Sequence, residues 1–182
     1  MKRFTLSSIS ILAVLLLSSL SASAQSASVT SSATIVTPIT ATATAPLAFG
    51  TISKGSAATV AATSSSAAAV TFSGDEADNV TISIPASVTI ATTSGAGASM
   101  TVALNRAAAR VGTTAVQASG STLDASSGTA TTGLSTDASG NGVSSDGLGQ
   151  AYLWVGGTVT PSATQQRGSY SGTFTVSAAY SN

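Results

Sequence analysis

Alternation with a period of two runs through this chain and points to β-structure almost everywhere. It is plainest in "GSYSGTFTVSAAYSN", residues 168–182. Tyr170, Gly172, Phe174, Val176, Ala178 and Tyr180 fall on one side of an extended backbone. Ser171, Thr173, Thr175, Ser177 and Ala179 fall on the other. A strand with one buried face has this pattern, because successive side chains point to opposite faces. Tyr170, Phe174, Val176 and Tyr180 are therefore the expected core residues of a closing strand.

The same period recurs upstream. Ala33, Ile35, Ile39, Ala41, Ala43, Ala45, Leu47 and Phe49 alternate with threonines in a long first strand. Pro38 lacks an N–H, so that strand is expected at a sheet edge or broken there. Short strands are expected at 57–63, 68–74, 80–85, around 87–93, and at 99–105. Residues 151–161, "AYLWVGGTVTP", are apolar on both faces, which suits a central strand, and Gly156-Gly157 mark a bend. In region 106–150, "RAAARV" reads as a helical turn or a short strand, and the Gly-, Ser-, Thr- and Asp-rich stretch after it reads as loops with one weak strand. The expected fold is all-β: an immunoglobulin-like or pilin-like antiparallel β-sandwich of about seven to nine strands.

Few charges accompany this pattern, at 7% of the residues. Disordered chains combine low hydrophobicity with high net charge, and this chain has neither. Lys2 and Arg3 precede the apolar run Ile11–Leu20, which is too short to span a bilayer. Ala22-Ser23-Ala24 then offers a small-x-small cleavage site before Gln25. Residues 1–24 thus read as a signal peptide cut between Ala24 and Gln25. Residues 25–182 are expected to form one exported domain, in the periplasm, at the cell surface or outside the cell. Without residues 1–24, four basic side chains face six acidic ones. That balance argues against nucleic acid as a partner, and no membrane span is expected after signal removal.

There is no Cys and no His. Disulfides, His-dependent triads and ordinary zinc sites are excluded together. "DEAD" at residues 75–78 lacks the phosphate-cradling loop its helicase namesake requires and reads as a solvated loop. Asp137, Ser139, Asn141 and Gly142 partly imitate a calcium loop, yet Leu148 stands where its bidentate carboxylate belongs. No catalytic residue, metal ligand or cofactor site is expected, and the protein is read as non-enzymatic. Tyr152 and Trp154, two apart on one strand, share a face. They are candidate binding residues if exposed, because such a pair stacks on sugars. The preferred reading buries them in the core, since aromatics contribute large apolar area.

Three blocks carry a resemblance. "LAFGTIS" (47–53), "VTFSGDEADNVTISIP" (70–85), and "LWVGGTVT" (153–160) with the closing segment resemble the secreted bacterial domain of unknown function family 4402. The closing block is also similar to the ends of chaperone–usher pilins and spore-coat-U-like subunits. The first resemblance implies no assigned activity. The second implies a final strand bordering a groove that a neighbour's strand fills. Partners implied are the chain itself or related subunits through edge-strand addition, and a periplasmic chaperone. The expected function is a cell-surface or extracellular structural subunit. The alternative is a surface binding or adhesion module for glycan or protein, using Tyr152 and Trp154 or the 106–150 loops.

Overall fold

The computed structural model describes residues 28–33, 35, 37–76, 78–92, 97–106, 109–113, 115–117, 121–124, 126–134 and 148–181. The expected signal peptide with Ala24 and Gln25, and the Asp137 loop, lie outside these residues. The chain divides into two compact units, Met1–Ile35 and Val36–Asn182. In the first, residues 28–33 and 35 are exposed and belong to no helix or strand.

The second unit is all-β, and the described residues contain no α-helix. Five strands form the first sheet, in the order β1 (Thr40–Ala45), β3 (Ala68–Asp75), β10 (Leu148–Val155), β7 (Arg110–Gly112) and β8 (Ser121–Thr122). A second sheet runs β12 (Tyr170–Ser171), β5 (Ser87–Thr92), β6 (Ser99–Leu104), β11 (Gly157–Val159) and β2 (Ala58–Val60). The third contains β13 (Ser177–Tyr180), β4 (Asn79–Ser83) and β9 (Thr129–Gly133). Every pairing is antiparallel.

One contiguous core joins the three sheets in a sandwich-like arrangement. The first sheet contributes Phe72, Ala151, Leu153, Val155 and Val111. The other two contribute Val80, Ile82, Val102, Leu104 and Val159, and Ile84 follows directly after β4. Each such large side chain, fully withdrawn from water, stabilises the fold by about 1.5–3 kcal/mol before conformational entropy is counted. In β10 the inward positions are Gly149, Ala151, Leu153 and Val155, all buried. β10 occupies the middle of its sheet, as its two-faced apolarity leads one to expect.

Thirteen strands among the described residues exceed the seven to nine expected, because glycines and prolines cut long alternating runs into pieces. Pro38 and Pro46 confine β1 to six residues. Gly156 separates β10 from β11, where the chain passes from the first sheet to the second. A side chain there would place its Cβ 2.3 Å from the Val60 carbonyl oxygen and 2.7 Å from the Ala62 nitrogen. Only glycine allows the crossing at that separation. Region 106–150 is expected to hold a helical turn or strand at "RAAARV" and one weak strand after it; it carries β7, which begins at Arg110 of that run, and then β8, β9 and the start of β10. These strands are short and small-residued, so their alternation is faint in the sequence.

The closing strand also departs from expectation. It is not one strand but two. β12 pairs with β5 in the second sheet, and β13 pairs with β4 in the third. Residues 172–176 between them belong to no strand pair.

Candidate functional site

This unpaired stretch and the outer edge of β1 border one groove. One wall begins at β1. Its inner neighbour is β3, and no strand pairs with its outer edge among the described residues. The pairing of β1 with β3 shifts register between Ala43 and Ala45, which bends the edge. Pro46 then ends the ladder, having no N–H to give it. The wall continues through Leu47, Phe49 and Ile52, all half-buried against the core. The N–H of Ala48 donates to the Ser66 carbonyl at 2.9 Å and anchors this segment.

The opposite wall is the run from Gln165 to Val176. Gly172 brings it close to β5: a Cβ on residue 172 would lie 2.4 Å from the Thr89 carbonyl oxygen. Beyond that contact no strand among the described residues pairs with this backbone, while Phe174 and Val176 turn half-buried side chains onto the core. Tyr170 is held in place by its hydroxyl, which donates to the Gln166 carbonyl at 2.7 Å and accepts from Gln165 Nε2 at 2.9 Å. The floor comes from Val70 of β3, Val88 and Ile90 of β5, and Met100 and Val102 of β6.

Together these surfaces enclose about 890 Å³, toward the upper end of the size of small-ligand cavities. Two cations, Lys54 and Arg167, and two amides, Gln165 and Gln166, reach the lining; no carboxylate does. The groove therefore offers apolar surface along its length, a basic rim, and backbone groups on two free edges. Such a combination binds extended chains, because main-chain hydrogen bonds supply the affinity and alternating side chains the specificity. No group of three or more His, Cys, Asp or Glu side chains placed to hold a metal occurs among the described residues.

Three of the four closing-strand residues singled out from the sequence, Tyr170, Phe174 and Val176, line the groove. Tyr180 does not. Its hydroxyl donates to the Thr37 carbonyl and accepts the Asp75 N–H, each at 2.7 Å. The Asp75 carboxylate accepts the Thr37 N–H at 2.7 Å, so this acidic residue fastens the entry to β1 instead of standing free in a solvated loop. Tyr152 and Trp154 do share a face, but it is the outer one, opposite Leu153 and Val155. Their rings stack at 6.0 Å with 15° between planes. Trp154 is only 8% exposed and lies outside the contiguous core. The Tyr152 hydroxyl donates to Gln150 Oε1 at 2.5 Å. Neither ring lines the groove.

Sequence reasoning missed the first wall, 43–54, and the rim cations Lys54 and Arg167. The Leu47, Phe49 alternation after the bend expected at Pro46 is the available signal.

The profile of the family described as Domain of unknown function (DUF4402) matches residues 19–180. The chain belongs to this family. The matched stretch of this DUF4402 chain includes both walls of the groove, its floor and the Tyr180 contact. No curated protein matches the chain.

Proposed function

We propose that this DUF4402 protein is an exported, non-enzymatic structural subunit that accepts an extended strand from another chain in its groove. One observation carries the reading: an apolar groove of about 890 Å³ is bordered by two edges, β1 and residues 172–176, with which no strand among the described residues pairs on the groove side. Free edges recruit strands from other chains unless charge, proline or a cover blocks them. β1, Thr40–Ala45, carries no charge and no proline.

Export is supported by the basic start, the short apolar run and the small residues before Gln25. The likeness of the closing block to pilin ends supports a pilin-like mode of assembly, and a periplasmic chaperone occupying the same groove in transit accords with it. The alternative of an aromatic glycan platform finds less support, because Trp154 is buried and the Tyr152 hydroxyl is already engaged.

Protein purified from its native envelope and examined by electron microscopy and size-exclusion tests the reading. Filaments or ordered multimers are expected. A filament-free monomer at every concentration overturns it.

A further inference from the structure

The strand-addition reading leaves open whose strand enters and in which direction. Three features of the molecule bear on both.

The first is a segment with strand chemistry whose described residues, 29–33 and 35, belong to no strand. Residues 29–36 read Val-Thr-Ser-Ser-Ala-Thr-Ile-Val. Val29, Ala33 and Ile35 fall on one side of an extended backbone, with Ser31 between them; Thr30, Ser32 and Thr34 fall on the other. The segment contains no charge, glycine or proline. Val29 is 91% exposed and Ile35 94% exposed, the two most exposed large apolar side chains among the described residues. Extended, eight residues span about 26 Å, the length of the eight-residue β3 whose Val70 contributes to the groove floor.

The second is where that segment joins the β unit. Both backbone groups of Thr37 are held, the N–H by Asp75 and the carbonyl by Tyr180. The chain therefore enters β1 beside Asp75, with Glu76 and Asp78 in the same turn.

The third is the position of the cations. β1 and β3 run antiparallel, with Thr40 opposite Ser73 and Ala45 opposite Ala69. Following β1 from the Asp75 end leads past Ala45 to Lys54. Following the closing segment from Arg167 through Tyr170 leads back to Tyr180, beside Asp75. The groove's basic rim thus lies at the end opposite the acidic turn. Two of the four basic residues beyond position 24 stand at this rim, and no acidic residue lines the groove.

We propose that the groove of one copy receives residues 29–36 of a second copy, head to tail, with the donor's Asp75–Asp78 turn against the acceptor's Lys54 and Arg167. This rests on the strand-addition reading and gives it a partner and a polarity. With donor residue 36 at the basic rim and Val29 deepest, the donor strand runs parallel to β1 and antiparallel to residues 172–176. Val29, Ala33 and Ile35 then face the apolar floor. A contact between two different surfaces of the same chain does not close on itself by twofold symmetry, so repetition gives a filament, or a ring where the rotation closes.

Because the chain has no cysteine, introduced thiols report contacts without background. The exported full-length chain carrying Ile35→Cys and Ser169→Cys is expected to give an intermolecular disulfide ladder on oxidation, since Ser169 lines the rim. Val29→Cys with Ser169→Cys is expected to give none. Lys54→Glu with Arg167→Glu should slow assembly at least tenfold at low salt, as steering charges do. Adding Glu76→Lys and Asp78→Lys should restore it. A ladder from the Val29 pair, or an intramolecular disulfide in a monomer, overturns the proposal. So does assembly that persists with no ladder and no response to charge reversal; that result leaves strand addition by another partner standing. A wild type that never assembles defeats both.

Discussion

The Tyr180 hydroxyl donates to the Thr37 carbonyl at 2.7 Å across 143 positions of sequence. The same oxygen accepts the Asp75 N–H. A closing strand that lies at the margin of its sheet is thereby fastened to the start of β1 and to the end of β3. Fraying, the usual fate of a terminal strand, is opposed at its last turn of contact.

Tyr180→Phe should remove both hydrogen bonds while keeping the ring. The part-buried Asp75 N–H then loses its partner, while water reaches the exposed Thr37 carbonyl, at a cost of about 1 kcal/mol. Urea unfolding measures the loss. Hydrogen exchange at the Asp75 amide should quicken in the folded state.

Gly156→Ala should be worse than its small size suggests. The added methyl meets backbone atoms of residues 60–62, which cannot rotate away as a side chain can. Destabilisation of about 3 kcal/mol or more is expected, seen as a lower melting temperature or failure to accumulate. Gly133→Ala is the control: among the described residues its Cβ would meet only Asn79 Oδ1, at 3.6 Å.

Asp124 should titrate low. Its exposed carboxylate accepts from the Ser126 hydroxyl, the Ser127 N–H and the Ser126 N–H, which hold it at about 2 instead of 3.8. The folded form therefore binds this proton less readily than the unfolded chain. Any stability from this turn is fully present above pH 3.8 and is lost as pH falls through about 2. An NMR titration of the Asp124 side chain locates the midpoint, and Ser126→Ala should raise it.

Trp154 is the single tryptophan, so fluorescence reports on it alone. Being 8% exposed and stacked on Tyr152, it should emit in the blue and resist iodide. Added sugars should leave its emission unchanged. Tyr152→Ala should shift the emission to longer wavelength and open it to the quencher.

Much of the β-structure was legible because alternation reports which face of a strand is buried. β3, β5 and β6 fall where their sequences place them, and two-faced apolarity put β10 at the centre of a sheet. Alternation does not report which strand lies alongside. Residues 172–176 keep the pattern of their neighbours, since Phe174 and Val176 still face the core, yet they pair with no strand among the described residues. The break in the closing strand was therefore invisible. The groove was hidden for a related reason: its walls, 43–54 and 165–176, are more than a hundred residues apart, and the space between them has no sequence of its own. Tyr170, Phe174 and Val176 were identified as core residues and serve at the margin of that space. Asp75 looked like a solvated charge because its partner, a backbone N–H, leaves no mark in the pattern.

Sedimentation velocity of the exported chain over a range of concentrations, beside Ala43→Lys, tests the central claim most directly. Ala43 is exposed on β1 and lines the groove, so a lysine there blocks strand addition without burying a charge in the core. The wild type should pass from monomer to larger species as concentration rises, and Ala43→Lys should stay monomeric with unchanged circular dichroism. A wild type that remains monomeric throughout, or a lysine variant that assembles equally well, contradicts it.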